Sequence, residues 1–395
     1  MNKIPALLLT AVLISPSLGF ALGIRIPDQD AFATARGEAV TATADNPAAI
    51  FYNPAGITQL SGQNFLLGTY GIYLQSKYTS PNGANSVRTK DNPQAVPQIY
   101  YTYQLKNLPI TLGLGAYCPY GFNLEWPDTA PFRMQALKGG ITYFTINPVI
   151  AWKINDTLSI AAGPTFNFAK SNLERGILPF PGNSFKFDGS GYATGFTAGI
   201  LWQPAKQHSF GVNYHSGTSI GLDGHSTISI PGYRFYADKA DTQFEFPEFI
   251  TAGYSFRPNE QWNFEFDIDW TNWDRLNTLT LNQKTLGPVP LPFNWSSSFM
   301  YKFGATRYFS NGYNVSAGYI YSENSVPNSS FNPVVPDSDR NIFSVGVGKK
   351  YDRFSWDFAY QFAYGPTRTV TTATPADGNY RFISHALTFS LGYHF

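Results

Sequence analysis

Trp262-Asn263-Phe264-Glu265-Phe266-Asp267-Ile268-Asp269-Trp270 is the stretch on which the fold turns. Successive side chains of a strand point to opposite faces. Read that way, Trp262, Phe264, Phe266, Ile268 and Trp270 share one face, and Asn263, Glu265, Asp267 and Asp269 share the other. A strand with aromatics and isoleucine on one side and three acids on the other divides an apolar medium from a wet one. The pattern returns at Trp356, Phe358, Tyr360, Phe362 and Tyr364, opposite Asp357, Ala359, Gln361 and Ala363. It returns again at Val315, Ala317, Tyr319 and Tyr321, and at Phe210, Val212 and Tyr214.

The connections between these segments have their own rhythm. Short polar turns fall near Lys106-Asn107, Asn155-Asp156, Pro204 to Gln207, Pro258-Asn259, Asn311-Gly312 and Tyr351-Asp352. Long loops rich in Pro, Gly and Ser fall near 79–94, 126–138, 176–188, 223–241, 275–293, 323–339 and 366–379. Short turns on one rim and long loops on the other are the layout of an outer-membrane barrel, with the short side in the periplasm. Thirteen such connections predict an all-β, transmembrane antiparallel β-barrel of about 14 strands over 63–395. The last strand alternates Phe389, Leu391, Tyr393 and Phe395 with Ser390, Gly392 and His394. It ends on an aromatic, like the C-terminal signal read by the barrel-assembly machinery.

Composition agrees. Charged residues are 13% of the 395, against roughly 25% in soluble domains, and aromatics are 17%. Yet the mature chain has no run approaching the roughly 20 apolar residues that a membrane helix needs. The net charge of +1 leaves no basic excess for nucleic acid. The single cysteine, Cys118, excludes an intramolecular disulfide and a cysteine metal framework; no cofactor is implied.

Two segments precede the barrel. Residues 1–21 read as a secretory signal peptide: Lys3, the apolar run Ala6 to Ile14, the breakers Pro16 and Gly19, and a cut after Ala21. Residues 22–62 do not alternate. They carry Asn46-Pro47-Ala48 and Asn53-Pro54-Ala55. Asn caps helix N-termini, and Pro suits the first helical position, so short helices in a compact plug are expected there.

The run Ala44-Asp45-Asn46-Pro47 to Phe51-Tyr52-Asn53-Pro54-Ala55-Gly56 resembles the N-terminal hatch of the FadL/TodX family of long-chain fatty acid and aromatic hydrocarbon channels. Further resemblances lie at Ile146-Asn147-Pro148 with Trp152 and Asn155-Asp156, and at Gln261-Trp262 through Trp270 with Trp273. The most specific joins Ser325-Val326-Pro327 to Val335-Pro336-Asp337-Ser338-Asp339-Arg340 at fixed spacing. The resemblance implies a monomeric barrel in the cell outer membrane, surrounded by lipid and lipopolysaccharide. Its lumen is closed by the hatch, with Asn53, Pro54 and Ala55 in the moving part. Passive uptake of a hydrophobic small molecule is the implied activity.

In that family the substrate leaves sideways through an interruption of the third strand, here about Ile110 to Trp126, and Tyr120-Gly121 matches the kink. Pro119, Tyr120, Gly121 and Phe122 are therefore the candidate gate. Pro removes a ladder donor and Gly permits a bend, although an ordinary bulge near the rim would carry the same residues.

The family's carboxylate-binding arginine matches Arg175. Leu158, Ile160, Phe166 and Phe168 on the even face of that strand should meet lipid. Thr165, Asn167, Ser171 and Arg175 on the odd face should then meet the lumen, unless a bulge at Pro164 flips the register and leaves Arg175 at the rim. The family's fatty acid member also has a lysine on strand ten, where this chain reads Trp295-Ser296-Ser297-Ser298, and Lys302 does not align. A neutral hydrophobic substrate therefore stays open beside a fatty acid.

Two other functions compete: a general outer-membrane porin, which needs no plug, and an outer-membrane hydrolase. The chain has no Gly-x-Ser-x-Gly or His-Glu-x-x-His motif, so no enzyme is expected. The five histidines read as solvated polar residues.

Overall fold

The structure is a computed structural model that describes residues 23–232 and 236–395. The expected signal peptide lies outside the described residues, as do Tyr233 and Phe235 of the fourth long loop. The strands form one closed antiparallel barrel of fourteen staves. Closure is made by the first strand, Gln63–Thr79, which pairs with the last, Gly378–His394, from Asn64↔His394 to Thr79↔Asn379. A closed barrel leaves no unpaired sheet edge, which is what a bilayer without hydrogen-bonding solvent demands.

The ninth strand, Trp262–Thr271, has the register its alternation predicts. Phe264 and Ile268 are 43% and 37% exposed on the outer wall, while Asp267 and Asp269 are 0% exposed inside. Phe358 and Tyr360 of the thirteenth strand, Phe354–Tyr364, likewise face outward, and Ala359, Gln361 and Ala363 face inward.

Several of the long connections are shorter than the sequence suggests. The seventh strand runs through His208–His215 and Thr218–Ser229, and the eighth through Tyr236–Phe246 and Phe249–Asn259. Their ladder persists to Ile228↔Tyr236, so most of 223–241 is strand. Residues 275–293 contain Thr278–Gln283 and Val289–Pro292, which pair with one another. Above the bilayer a strand still satisfies its backbone by pairing, but it no longer has a lipid face. Its sequence therefore loses the apolar alternation and reads as a loop.

Inside the barrel, residues 24–57 are mostly buried. A helix Ala31–Ala35 is capped by Asp30, which accepts from the Ala33 N–H at 3.3 Å; neither Asn-Pro pair announces it. Asn46 accepts from Ala48 N–H at 3.0 Å just before the short helix Ala49–Tyr52. Asn53 accepts from Ala55 N–H at 3.2 Å and opens the 3-10 turn Pro54–Gln59 with Pro54 at its first position. Ala, Gly and Thr dominate this hatch because the lumen is narrow. A Cβ on Gly318 would sit 2.0 Å from the Gly37 nitrogen, and one on Gly211 would sit 2.1 Å from the Thr41 carbonyl oxygen.

Candidate functional site

The third strand is where the wall breaks. Ile110–Tyr117 pairs with the second strand, Gln94–Gln104, only from Gln104↔Thr111 to Ile99↔Ala116. After the break at Cys118-Pro119-Tyr120, Gly121–Glu125 has ladder pairing only with the fourth strand, Lys138–Lys153, and at its far end the Glu125 carbonyl accepts from Lys90 N–H at 2.8 Å. Gln94 to Gln98 are thus left without a ladder partner on that side, and a side-chain bond from Gln94 Nε2 to the Asn123 carbonyl at 2.9 Å spans the opening.

The hatch completes the broken strand. Ile26 N–H donates to the Pro119 carbonyl at 2.9 Å, and Gly121 N–H donates to the Ile24 carbonyl at 2.9 Å. Gln29 holds Cys118 from both sides. Its Nε2 donates to the Cys118 carbonyl at 2.8 Å, and its Oε1 accepts from the Cys118 N–H at 3.3 Å. Tyr120 is buried, donates to the Pro247 carbonyl at 2.5 Å and packs its ring against Tyr143, Phe246 and Trp273.

Two cavities meet at this point and share Phe122, Val334 and Val335 as a common wall. The first, about 80 Å³, is lined by apolar groups such as Ile141, Phe187, Phe244, Leu281 and Trp295; Ser171, Asn172, Thr242 and Asn332 are its polar contacts, and no charged side chain lines it. The second, about 120 Å³, runs from Phe122 past Gly121 and Leu124 to Gln94 and Val96 at the wall opening, with Arg25 and Arg340 on its sides. Apolar cavities of roughly 150 Å³ stay dry and take up a benzene ring. Only the first of the two has such an apolar lining; the second also carries Arg25, Asp28, Gln94 and Arg340.

Both arginines are already neutralised. Arg25 Nη1 and Nη2 meet Asp269 at 2.6 and 3.2 Å, Lys302 Nζ meets the same carboxylate at 2.8 Å, and the guanidinium lies 3.7 Å over the Phe249 ring. Arg340 meets Asp337 at 2.6 Å.

The family model described as outer membrane protein transport protein (OMPP1/FadL/TodX) matches residues 12–395. The chain belongs to that family. It is an outer-membrane transport protein with the FadL/TodX barrel. Among similar curated proteins, outer membrane protein P1 of Haemophilus influenzae is 21% identical, over 99% of this chain and 98% of that protein. The long-chain fatty acid transport protein of Escherichia coli K12 is 21% identical over 90% and 89%. Among solved structures, a Pseudomonas aeruginosa FadL homologue has a TM-score of 0.85 at 18% identity, over 95% of this chain and all of the other. The Pseudomonas putida toluene transporter TodX has a TM-score of 0.75 at 17% identity, over 96% and 100%. At these identities the structural likeness speaks for the FadL/TodX fold.

Within that fold the expected site residues fall in three places. Pro119, Tyr120, Gly121 and Phe122 sit together at the break. Arg175 ends the fifth strand, Leu158–Arg175, whose pairing with the sixth strand, Ser184–Ala205, runs without a register shift through Pro164. Arg175 is on the odd face, half-buried, 5.5 Å over the Phe185 ring. It lies two residues beyond Leu173, the last residue of that strand to line the first cavity, or roughly 7 Å further toward the rim. Asn53, Pro54 and Ala55 are elsewhere: Asn53 Nδ2 donates to the Thr41 and Ile200 carbonyls at 2.8 and 3.0 Å. The hatch residues that touch the break are Ile24 to Gln29.

The inward acids of the ninth strand hold the hatch. Asp267 accepts from Val40 and Thr41 N–H at 3.1 and 3.0 Å, and Glu265 accepts from Ala42 and Thr43 N–H at 2.6 and 3.2 Å. Sequence reasoning found these acids but not their partners. Three acids facing inward on a membrane strand call for donors, which was the available signal. The expectation that the histidines are solvated fails for His215, which is buried, stacked on Phe249 at 4.3 Å and bonded through Nε2 to the Phe51 carbonyl at 2.9 Å. The hatch brings the Phe51 carbonyl to that spot, and the imidazole N–H satisfies it.

Proposed function

We propose that the chain carries hydrophobic small molecules, long-chain fatty acids or aromatic hydrocarbons, passively into the apolar cavity. From there they leave sideways past Gly121, between the second and third strands, while the hatch closes the lumen to ions. The observation that carries this reading is that the apolar cavity abuts a second cavity across Phe122, Val334 and Val335, and that this second cavity reaches Gln94 and Val96 on the unpaired Gln94 to Gln98 edge. The physical reason is solubility. Each buried methylene is worth about 0.8 kcal/mol, so a water-filled exit would retain an apolar ligand, whereas a side exit keeps it covered. The E. coli relative is a long-chain fatty acid transport protein and the P. putida structure a toluene transporter, which supports both substrate classes.

The uncharged lining of the inner cavity favours a neutral molecule, or an acid whose head group stays near Arg175. Arg175→Ala separates the two. Uptake of a labelled fatty acid should fall several-fold while uptake of a labelled monoaromatic hydrocarbon stays unchanged. Equal effects on both would return Arg175 to a rim role. Deleting residues 23–60 behind an intact signal peptide should raise small-ion conductance in a planar bilayer. An intact protein that already conducts like an open porin would contradict the plug.

A further inference from the structure

At the extracellular rim the outer wall carries two in-register rows of charge. Across strands three to six, Glu125↔Lys138, Lys138↔Glu174 and Glu174↔Lys186 are direct Cα partners. The signs alternate, and ion pairs form between Lys138 and Glu125 at 3.3 Å and between Lys186 and Glu174 at 3.2 Å. Across the barrel seam the row is different. Arg88 is the partner of Lys77, and Lys77 is the partner of Arg381. These are three cations side by side with no acid between them.

All three point outward. Tyr78, Val87, Tyr380 and Phe382, their neighbours in sequence, face the interior. Among the described residues none of the three makes an ion pair. Asp91, on the same side, accepts from the Tyr73 hydroxyl at 2.5 Å.

Like charges directly opposite one another on neighbouring strands, about 5 Å apart, are destabilising unless something neutralises them. The surroundings indicate what does. One step toward the solvent, the same outward face carries Ser86, Thr79, Asn379 and Thr369, which are register partners. One to three steps toward the membrane it carries Ile383 and Leu387, 41% and 54% exposed. Cations with hydroxyl and amide groups above, and acyl-facing side chains below, match a phosphorylated amphiphile lying along the wall.

We propose that Lys77, Arg88 and Arg381 bind the phosphate of an outer-leaflet glycolipid, which supplies to this row the negative charge that Glu125 and Glu174 supply to the cations of the neighbouring row. The test uses the full-length protein purified in detergent, probed by native mass spectrometry with bis-phosphorylated lipid A. The K77S/R88S/R381S variant should retain at least about tenfold less of it than the wild type, as expected for loss of several charge-assisted contacts. The K138S/K186S variant, with the paired cations removed, should stay within about twofold. Dephosphorylated lipid A should be retained poorly by all three. Should the triple variant fail the heat-modifiable mobility check for folding, Arg381→Ser alone should still lower retention, by about threefold. Equal retention by wild type and variant, equal loss in the K138S/K186S control, or equal retention of the dephosphorylated lipid would overturn the proposal. So would displacement by equimolar inorganic phosphate, which would make the site one for free phosphate.

Discussion

The third and ninth strands both meet the hatch, and they hold it in opposite ways. The ninth is continuous, and its inward acids take four hatch N–H groups and the Arg25 guanidinium, with Lys302 on the same cluster. The third is interrupted; Phe51 packs on its Tyr117, and at the break itself the hydrogen bonds to the hatch are two backbone bonds and the amide of Gln29. Hydrogen bonds to charged groups contribute about 1.5–3 kcal/mol, and neutral ones about 0.5–1.5. By that measure the ninth strand holds the hatch more tightly than the break does. The weaker contact lies beside the wall opening, so on the proposed lateral route a small movement of Ile24 to Gln29 would expose the gap without undocking the rest.

The comparison breaks most visibly at Asp269. Asp269→Ala strands Arg25 and Lys302 as buried charges, and removing one partner of a buried pair costs about 3–5 kcal/mol. Urea titration of the folded barrel in lipid vesicles should show a loss of that size, with protease sensitivity appearing in the hatch. A loss under about 1 kcal/mol would mean that the ninth strand is not the anchor. At the weak wall, Gln29→Ala removes the bracket around Cys118 and should cost only about 1–2 kcal/mol. Its signature should be faster alkylation of Cys118 and more frequent short conductance events, with the melting transition little changed.

The smallest effect concerns pH. Burial, reinforced by the charge of Asp28, holds the Glu38 carboxyl well above the usual carboxylate range; Tyr52 and Lys302 act the other way. Tyr52 donates to it at 2.5 Å. The folded hatch therefore keeps a proton that the unfolded chain releases above roughly pH 4. That contribution is fully present at low pH and is lost as pH rises from the unfolded value through the folded one. Limited proteolysis of the hatch should accelerate from pH 5 to pH 8 in the wild type and change less in Glu38→Gln, which still accepts from Tyr52. The same pH slope in both would remove Glu38 from the account.

How much of this was legible beforehand follows from what each feature depends on. The barrel wall was legible because a membrane strand writes its environment into every second residue, as at Trp262 to Trp270. The break was legible because Pro119 and Gly121 are local facts. The hatch contacts were not. Gln29 has meaning only beside Cys118, 89 positions away, and Arg25 only beside Asp269, 244 positions away. Lys302 failed to align with the family's lysine, and its pairing with Asp269 depends on strand register. The cap at Asp30 was overlooked because a five-residue helix has no period to read.

The central claim is that ligand leaves through the gap between Gln94 to Gln98 and Gly121 to Glu125. It is tested most directly by closing that gap. In a Cys118→Ser background, Gln94→Cys with Asn123→Cys puts one thiol on each side of the opening that the Gln94 amide now spans, and a short bis-thiosulfonate linker joins them through reducible disulfides. Uptake of a labelled hydrophobic substrate into vesicles should fall at least about tenfold when the pair is linked and recover on reduction, with heat-modifiable mobility unchanged in both states. Undiminished uptake through a linked, folded barrel would contradict the lateral route.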